Sequence, residues 1–208
     1  MDSKDYIKEL KNLYRGLGYV SSFVHWRCWH TPYERVEQFV PKQGKIVDLG
    51  CGYGLFSNFL ALTSNSREII GIDISERKMN YSHRGLSNVS FQVGDAMNLN
   101  LTQCDGIVLN HMLHHLSSYQ DQEKLLRHCY EKLKDGGTLI NLEIDKKPFW
   151  KFMFTQLVDH VAYPGDKFYF RDSSEFEELF NSIGFKKIEV IPVHEGVPLS
   201  HVLYVAKK

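Results

Sequence analysis

The sequence of 208 residues predicts an α/β protein whose seven-stranded sheet is mostly parallel and carries helices on both faces. Three observations indicate this fold class. Short apolar runs alternate with segments of helical periodicity, and strands separated by helices pair in parallel. Several of the apolar runs end in glycine or in an acidic residue. The last two runs are joined only by His194 to Ser200, so they must be antiparallel neighbours.

Each element has its own signal. Apolar residues at helical spacing predict a first helix over 4–17. Thr31, Pro32 and Glu34 form the pattern of an N-cap, a first helical residue and a capping box, and this second helix should stop before Pro41. The seven strands are expected at 45–50, 68–74, 89–94, 104–110, 137–144, 186–193 and 201–207. The remaining helices are expected at 54–63, 75–86, 118–134 and 173–183. Helix 118–134 has a clear end signal, because Gly136 follows it.

Composition argues against several kinds of partner. Lysine plus arginine equals aspartate plus glutamate at 25 each, and no basic run is present, so we expect no nucleic-acid binding. The cysteines are Cys28, Cys51, Cys104 and Cys129, without the spacing of a metal site, which suits a reducing compartment. The N-terminus lacks the pattern of a signal peptide and no apolar stretch approaches 18 residues. We therefore expect a cytoplasmic protein without a membrane span or a bound metal.

The most informative segment runs from Ile46 to Gly54 and has the sequence Ile-Val-Asp-Leu-Gly-Cys-Gly-Tyr-Gly. Glycines at 50, 52 and 54 allow a sharp turn after a strand and a close approach of backbone to a ligand. A dinucleotide site would need the spacing G-x-G-x-x-G. Here the third glycine comes one residue early, and Asp48 precedes the first glycine by two. The segment therefore argues against a nicotinamide-dependent oxidoreductase.

Acidic residues also end the next two predicted strands. Asp73 closes the run 68–73, where a carboxylate can accept hydrogen bonds from ribose hydroxyls. Asp95 lies in the Gly-Asp-Ala that closes 89–96. The fourth strand leads into His-Met-Leu-His-His-Leu at 111–116, and a double glycine precedes the fifth. Together these residues, roughly 44 to 145, resemble the class I S-adenosylmethionine (SAM)-dependent methyltransferases, which implies a Rossmann-like, doubly wound fold.

The resemblance assigns residues to the donor. It implies that SAM lies along the glycine loop, with Asp73 on its ribose and Asp95 on its adenine. Asp48 would orient the loop or reach the amino group through water. The full set of expected donor-binding residues is Arg27, Asp48, Gly50, Cys51, Gly52, Asp73, Ile74, Asp95, Ala96 and Asn110. Arg27 belongs to this set because the segment 23–30, rich in Trp and His, can cover the donor and pair with its carboxylate. Residues 1–40 would then form a helical cap on a SAM-binding domain of 41–208.

Histidines after the fourth strand are the candidates for acid–base chemistry. Open α/β sheets bind ligands at the carboxyl ends of their strands, and histidine titrates near neutral pH. His111 and His114 are three residues apart and can share one face of a helical turn, whereas His115 would point elsewhere. Glu143 and Asp145 end the fifth strand on the same rim and are further candidates.

The main indication of the chemical class of the acceptor is the aromatic segment 146–172. This segment either covers the acceptor or packs against the sheet. No Asn/Asp-Pro-Pro-Tyr follows the fourth strand, and no Pro-Cys nucleophile is present. We therefore expect a methyltransferase acting on a small, partly apolar or lipid-like acceptor. The alternative is a regulatory protein that binds SAM without turnover.

Overall fold

A computed structural model of the chain describes residues 3–98, 101–162 and 164–208. The helices are α1 (Ser3–Leu13), α2 (Tyr19–His30), α3 (Tyr33–Glu37), α4 (Leu55–Thr63), α5 (Glu76–Met79), α6 (Tyr119–Lys132), α7 (Phe149–Ala162) and α8 (Ser173–Ile183). The strands are β1 (Gly44–Leu49), β2 (Arg67–Asp73), β3 (Val89–Val93), β4 (Cys104–Asn110), β5 (Leu133–Ile144), β6 (Lys187–Pro192) and β7 (His201–Lys207). A short 3-10 turn, Leu113–His115, follows β4.

The strands form one seven-stranded sheet in the order β3-β2-β1-β4-β5-β7-β6. Strand β7 is antiparallel to both β5 and β6, and the other pairs are parallel. The structure thus confirms the predicted fold class and the antiparallel final strand. Because the strand order reverses between β1 and β4, the carboxyl ends of these two strands border a crevice.

Neighbouring residues of each central strand point to opposite faces of the sheet and build two apolar cores. In β1, Ile46 belongs to the core under α1, α2 and α4, whereas Val47 belongs to the core under α6 and α8. In β4, Val108 and Ile107 divide in the same way. Both faces of the sheet are therefore covered, and the ligand-binding surface must lie at the rim.

The N-terminal helices are fastened to the glycine loop by hydrogen bonds. The Tyr14 hydroxyl donates to the Tyr53 carbonyl at 2.8 Å and accepts from Asn58 Nδ2 at 2.7 Å. The expected helix over 4–17 ends at Leu13, because Gly16 and Gly18 adopt positive φ angles of 83° and 55° and reverse the chain.

Two further predictions of helix bounds and caps were wrong. Thr31 does not cap α3: the cap position is Pro32, without a side-chain cap bond, and Thr31 instead approaches the His30 ring. The helix expected at 75–86 is only Glu76–Met79, because the Ser82 hydroxyl bonds back to the Met79 carbonyl.

The turn expected after the sixth helix was also misplaced. Strand β5 begins at Leu133, and Gly136, at φ +76°, lies inside its irregular first part instead of capping α6. The pairing of β5 with β4 shifts register there, between Cys104 and Gly106.

Arg67 joins the N-terminal segment to the sheet at the rim opposite the glycine loop. Its guanidinium is buried and donates to Glu37 Oε1 at 2.8 Å. It also donates to the carbonyls of Pro41, Val40 and Leu60. Glu37 Oε1 also accepts from Lys42 at 2.7 Å, so removing Arg67 takes away its buried donor and leaves the more exposed one.

We predict that Arg67→Met lowers the free energy of unfolding by about 3–5 kcal/mol, because several carbonyls lose their Arg67 donor and Glu37 loses its buried one. Urea unfolding monitored by circular dichroism measures this. Arg127→Met is the matched control: its pair with Glu123 is exposed, so its loss should cost under about 1 kcal/mol. Equal losses in the two variants would show that Arg67 does not have this role.

Candidate active site

The three glycines of the loop after β1 all adopt positive φ, for different reasons. A Cβ on Gly50 would lie 2.7 Å from Met112 Cγ, and one on Gly54 would lie 2.6 Å from Phe91 Cε1. A Cβ on Gly52, at φ +58°, would meet no atom within 4 Å. Gly50 and Gly54 are therefore required by protein packing, whereas Gly52 faces the open space in which a ligand can lie.

Asp73 at the end of β2 holds this loop in place. Its Oδ2 accepts from the Gly52 N–H at 2.8 Å, and its Oδ1 accepts from the Ser75 N–H at 2.8 Å. Each carboxylate oxygen has a second acceptor position, so these bonds leave room for ribose hydroxyls. Ile74, the next residue, is 74% exposed on the same rim.

Asp95 after β3 is held in a similar way. Its Oδ1 accepts from the Met97 N–H at 2.9 Å, and its Oδ2 accepts from Asn98 Nδ2 at 2.6 Å. Ala96 is buried beside it. The two carboxylates that the sequence assigned to the donor thus lie at the ends of neighbouring strands, each fixed by backbone N–H groups.

Asp48 lies beneath the glycine loop and is fully buried. Its Oδ2 accepts from the Ser57 hydroxyl at 2.6 Å, and its Oδ1 has no partner within the described part of the chain. Burial raises the pKa of this carboxyl to about 7. Burial likewise raises the pKa of the neighbouring Cys51 thiol well above its ordinary value, so Cys51 contributes backbone and not a thiolate.

The end of β4 presents polar atoms that the described residues do not satisfy. Both side-chain amide atoms of Asn110 are buried without a partner. His111 follows at φ +55°, a conformation that costs a non-glycine residue about 1–3 kcal/mol, and its N–H donates to the Leu142 carbonyl at 2.8 Å. Strain and unsatisfied polar groups at one rim are typical of a ligand site.

The His111 ring has a defined environment. It stacks on His201, with ring centroids 4.7 Å apart and planes 11° apart, and its Nδ1 lies 3.2 Å from Arg27 Nη1. Because arginine can only donate, Nδ1 must accept, and in the neutral ring the proton lies on Nε2. Burial lowers the pKa of His111 well below its ordinary value, which keeps the ring neutral. Arg27 thus lies at this rim in contact with His111, and its expected pairing with the donor carboxylate stays a prediction.

The His114 ring differs from the His111 ring in its hydrogen-bond partners and in the direction of its pKa shift. It is 3% exposed, and its Nδ1 lies 2.5 Å from Glu143 Oε2. Burial opposes protonation of this ring, but the Glu143 carboxylate outweighs it and raises the pKa of His114. Glu143 Oε1 accepts the N–H groups of Met112 and Leu113 at 3.1 and 2.8 Å. His114 is therefore a clamped, charge-paired ring, whereas His111 keeps an unpartnered nitrogen.

The aromatic segment has two different sides. Phe168 and Phe170 lie with their ring centroids 6.1 and 5.2 Å from that of His114. The outer side of α7 is exposed, with Trp150 at 66%. Simple packing against the sheet therefore does not describe this outer side. Pro164 and Gly165 follow the helix as a turn, and Tyr163 lies outside the described residues.

Two residues of this rim were missed from the sequence. Asp159 on α7 lies with its Oδ2 3.9 Å from His114 Nε2. His201 begins β7 opposite Ile144, the last residue of β5. Both had a signal: Asp159 is the one acidic residue of α7, and the start of an antiparallel strand lies at the carboxyl ends of its parallel neighbours.

Two clefts of about 310 and 350 Å³ lie beside α1 and beside α3, away from the glycine loop. Within the described ranges, no three His, Cys, Asp or Glu residues are grouped as a metal site would require. The same ranges hold no helix long and apolar enough to cross a membrane.

Comparison with known proteins gives the class. The sequence model of a methyltransferase domain family matches residues 21–190, so the chain belongs to that family. A demethylmenaquinone methyltransferase of Staphylococcus carnosus is 26% identical over 219 residues, covering 94% of this chain and 89% of that protein. A ubiquinone biosynthesis O-methyltransferase of Coxiella burnetii is 25% identical over 172 residues, covering 76% of this chain and 71% of that protein.

Solved structures share the fold. A SAM-dependent methyltransferase of Thermotoga maritima superposes with a TM-score of 0.69 at 20% identity, covering 95% of this chain and 99% of that one. The chain spans only 56% and 55% of two longer methyltransferase-fold structures. The protein is thus an enzyme, a class I SAM-dependent methyltransferase, which argues against the nicotinamide alternative.

The residues present fit SAM. Gly52 leaves open the space that a side chain would fill, and Asp73 keeps acceptor positions beside it. Asp48 offers a buried, unpartnered oxygen below the loop. The donor carries no phosphate, and the loop accordingly needs no phosphate-binding cations.

We predict that Gly52→Ala weakens SAM binding by about 1–3 kcal/mol, or roughly 5- to 150-fold, because the new methyl group occupies donor space. Isothermal titration calorimetry measures the affinity. Gly136→Ala is the matched control, since Gly136 also has positive φ and open space around it but lies far from the loop. If both variants bind SAM as the wild type does, Gly52 does not face the donor.

We predict a pH effect from Asp48. With a folded pKa of about 7 against an ordinary 3.8, the folded state holds a proton that the unfolded state loses. The resulting stabilisation is complete below about pH 4 and is lost as the pH rises through 7. In Asp48→Asn the free energy of unfolding should therefore fall less between pH 4 and 7. Urea unfolding across this range tests it; the exposed Asp135→Asn should keep the wild-type slope.

Proposed function

We propose that this methyltransferase acts on a small, partly apolar acceptor bound between the end of β4 and the aromatic segment 146–172. The observation that carries the proposal is the set of buried, unpartnered polar atoms of Asn110 and His111 at the rim beside the glycine loop. The Phe168 and Phe170 rings border the neighbouring His114. A few polar groups beside apolar rings are the usual lining of a small-molecule site.

The donor would be held by the residues already described. We assign Gly50, Cys51 and Gly52 to its methionine part, Asp73 with Ile74 to its ribose, and Asp95 with Ala96 to its adenine. When bound, SAM supplies a methyl group already activated on a sulfonium. The protein then has to orient the acceptor, exclude water and deal with the acceptor's proton.

Of the two candidate histidines, we assign His111 to the acceptor. Its Nε2–H is free to donate a hydrogen bond, whereas both nitrogens of His114 face carboxylates. His111 Nδ1 can accept a proton only when it is no longer hydrogen-bonded to the Arg27 guanidinium. The carboxylate of the donor is a suitable alternative partner for Arg27, so donor binding would free this nitrogen. His114 and Glu143 would act as positioning residues, because they hold the turn that carries the rim.

Two of the relatives support this acceptor class. One is a demethylmenaquinone methyltransferase and the other a ubiquinone biosynthesis O-methyltransferase, and quinones of this kind are ring compounds with apolar substituents. A partly apolar ring compound suits a rim that combines Phe168 and Phe170 with polar atoms. We therefore propose a small aromatic or quinol-like acceptor and no nucleic acid.

We predict that His111→Ala lowers turnover roughly 10²- to 10⁴-fold while SAM affinity changes little, because the change removes an acceptor contact and not a donor contact. Turnover is measured as release of S-adenosylhomocysteine (SAH) with a panel of hydroquinones and phenols. His25→Ala, an exposed histidine of the same helix as Arg27, is the control and should retain wild-type turnover.

Two results would contradict this proposal in different ways. If no small molecule of the panel or of a metabolite extract is methylated, the small-acceptor class is wrong. A protein that binds SAM without any turnover would be the regulatory alternative. If turnover is observed but is equal in wild type and His111→Ala, only the role of His111 fails.

A further inference from the structure

Asp159 is the only acidic residue on α7, the helix that crosses the rim. Its side chain is 16% exposed, and its Oδ2 is buried without a hydrogen-bond partner in the ranges that the structure describes. A buried carboxylate oxygen without a donor is costly, typically by more than a neutral group would be. A bound group that donates a hydrogen bond to Oδ2 would therefore remove this cost.

The neighbours of Asp159 hold it in place without satisfying it. His114 Nε2 lies 3.9 Å from Oδ2, close enough for attraction between charges but too far for a hydrogen bond. His114 is fixed in turn by Glu143 at 2.5 Å. Since the backbone N–H groups of the turn after β4 fix Glu143, a continuous set of contacts runs from that turn to α7.

The surroundings of Asp159 also limit what can bind there. Its electrostatic neighbours are His114, Glu143, Arg27 and His160, so one further carboxylate, one guanidinium and two imidazole rings share the site. Burial raises the pKa of Asp159, and the charge on His114 opposes that rise. Phe168 packs against the rings of both His114 and His160 and adds an apolar wall.

We propose that Asp159 is an acceptor-binding residue whose carboxylate takes a hydrogen bond from a hydroxyl or amine group of the methyl acceptor. The acceptor is then a small molecule that combines an apolar ring with a hydrogen-bond-donating group next to the reacting atom. Helix α7 supplies this contact, so it determines specificity as well as covering the site. The inference rests on the proposed small-molecule function and deepens it.

Two simpler explanations predict different behaviour. If Asp159 only pairs with His114, its replacement changes stability but not which small molecules bind. If a water molecule satisfies Oδ2, its replacement changes neither the order nor the strength of small-molecule binding. A comparison of probes that differ only in their hydrogen-bond donors separates these explanations from ligand recognition.

The experiment uses the full chain saturated with SAH and three probes titrated by NMR. Hydroquinone carries two hydroxyl donors, 1,4-dimethoxybenzene has the same ring with the donors blocked, and phenethylamine carries an ammonium group. We expect hydroquinone or phenethylamine to bind roughly tenfold to a hundredfold more tightly than the dimethoxy compound, as a hydrogen bond to a charged group suggests.

The variants are Asp159→Ala, Asp159→Asn and the control Asp135→Asn, an exposed carboxylate at the opposite rim. Asp159→Ala should abolish the preference for donor-bearing probes without changing SAH affinity. Asp159→Asn should restore part of it for hydroquinone, because an amide oxygen still accepts, but not for phenethylamine, which needs the negative charge. The control should retain the wild-type preference. Thermal unfolding verifies that each variant is folded.

The outcomes are distinct. Loss of the preference in Asp159→Ala with partial rescue in Asp159→Asn supports the proposal. A preference that persists in Asp159→Ala overturns it, as does a wild type that binds all three probes equally. Equal binding would leave the partly apolar acceptor intact and remove only the role of Asp159. If no probe binds at millimolar concentration and no small molecule is methylated, the inference and the small-acceptor function both fail.

Discussion

The reversal of strand order between β1 and β4 is the constraint on which the site depends. In the sheet, β2 and β3 lie on one side of β1, and β4 and β5 lie on the other side. Parallel pairing then brings the carboxyl ends of all these strands to one rim. The glycine loop, Asp73, Asp95 and Asn110 meet there although they are far apart in sequence. No local interaction of these residues would hold them together without the register of the sheet.

Burial, more than direct pairing, determines the protonation of the groups at this rim. Asp48 has few partners, and its pKa rises to about 7 because water is excluded. His111 stays neutral for the same reason, with Arg27 fixing its tautomer. His114 is the exception, because the Glu143 carboxylate outweighs burial and favours the cation. Two histidines three residues apart thus have pKa values shifted in opposite directions within one site.

Helix α7 is the part of the molecule that the sheet does not fix. On its inner side, the Asp159 carboxylate lies near His114, and the Thr155 hydroxyl oxygen accepts a hydrogen bond from the Ser200 N–H next to β7. Its outer side leaves a row of large apolar side chains exposed, with Phe149 at 70% and Leu157 at 61%. In the proposed site, the acceptor would therefore be approached through an element that is held at few points. Strands would fix the donor side, and a helix would contribute to the acceptor side.

The sequence alone predicted where the glycine loop and the acidic residues at 73 and 95 lie, because strand ends and glycine spacing are local signals. Their assignment to SAM came from the resemblance to the methyltransferases and stays a prediction. Local signals failed at Thr31 and over 75–86, where side-chain bonds to near neighbours, Thr31 to the His30 ring and Ser82 to the Met79 carbonyl, replaced the expected pattern. Residue preferences alone do not decide which of two competing local hydrogen bonds forms.

Sequence by itself therefore determined the fold class, the order of the strands along the chain and the positions of the glycine loop and of the acidic residues at the strand ends, whose contacts with the donor stay a prediction. Only the tertiary structure separated His111 from His114, since their difference comes from Glu143 and Arg27, which are distant in sequence. It alone brought Asp159 and His201 to the rim. Charge state and contact depend on which side chains are within a few ångströms and how much water remains, and the packing of the whole chain decides both.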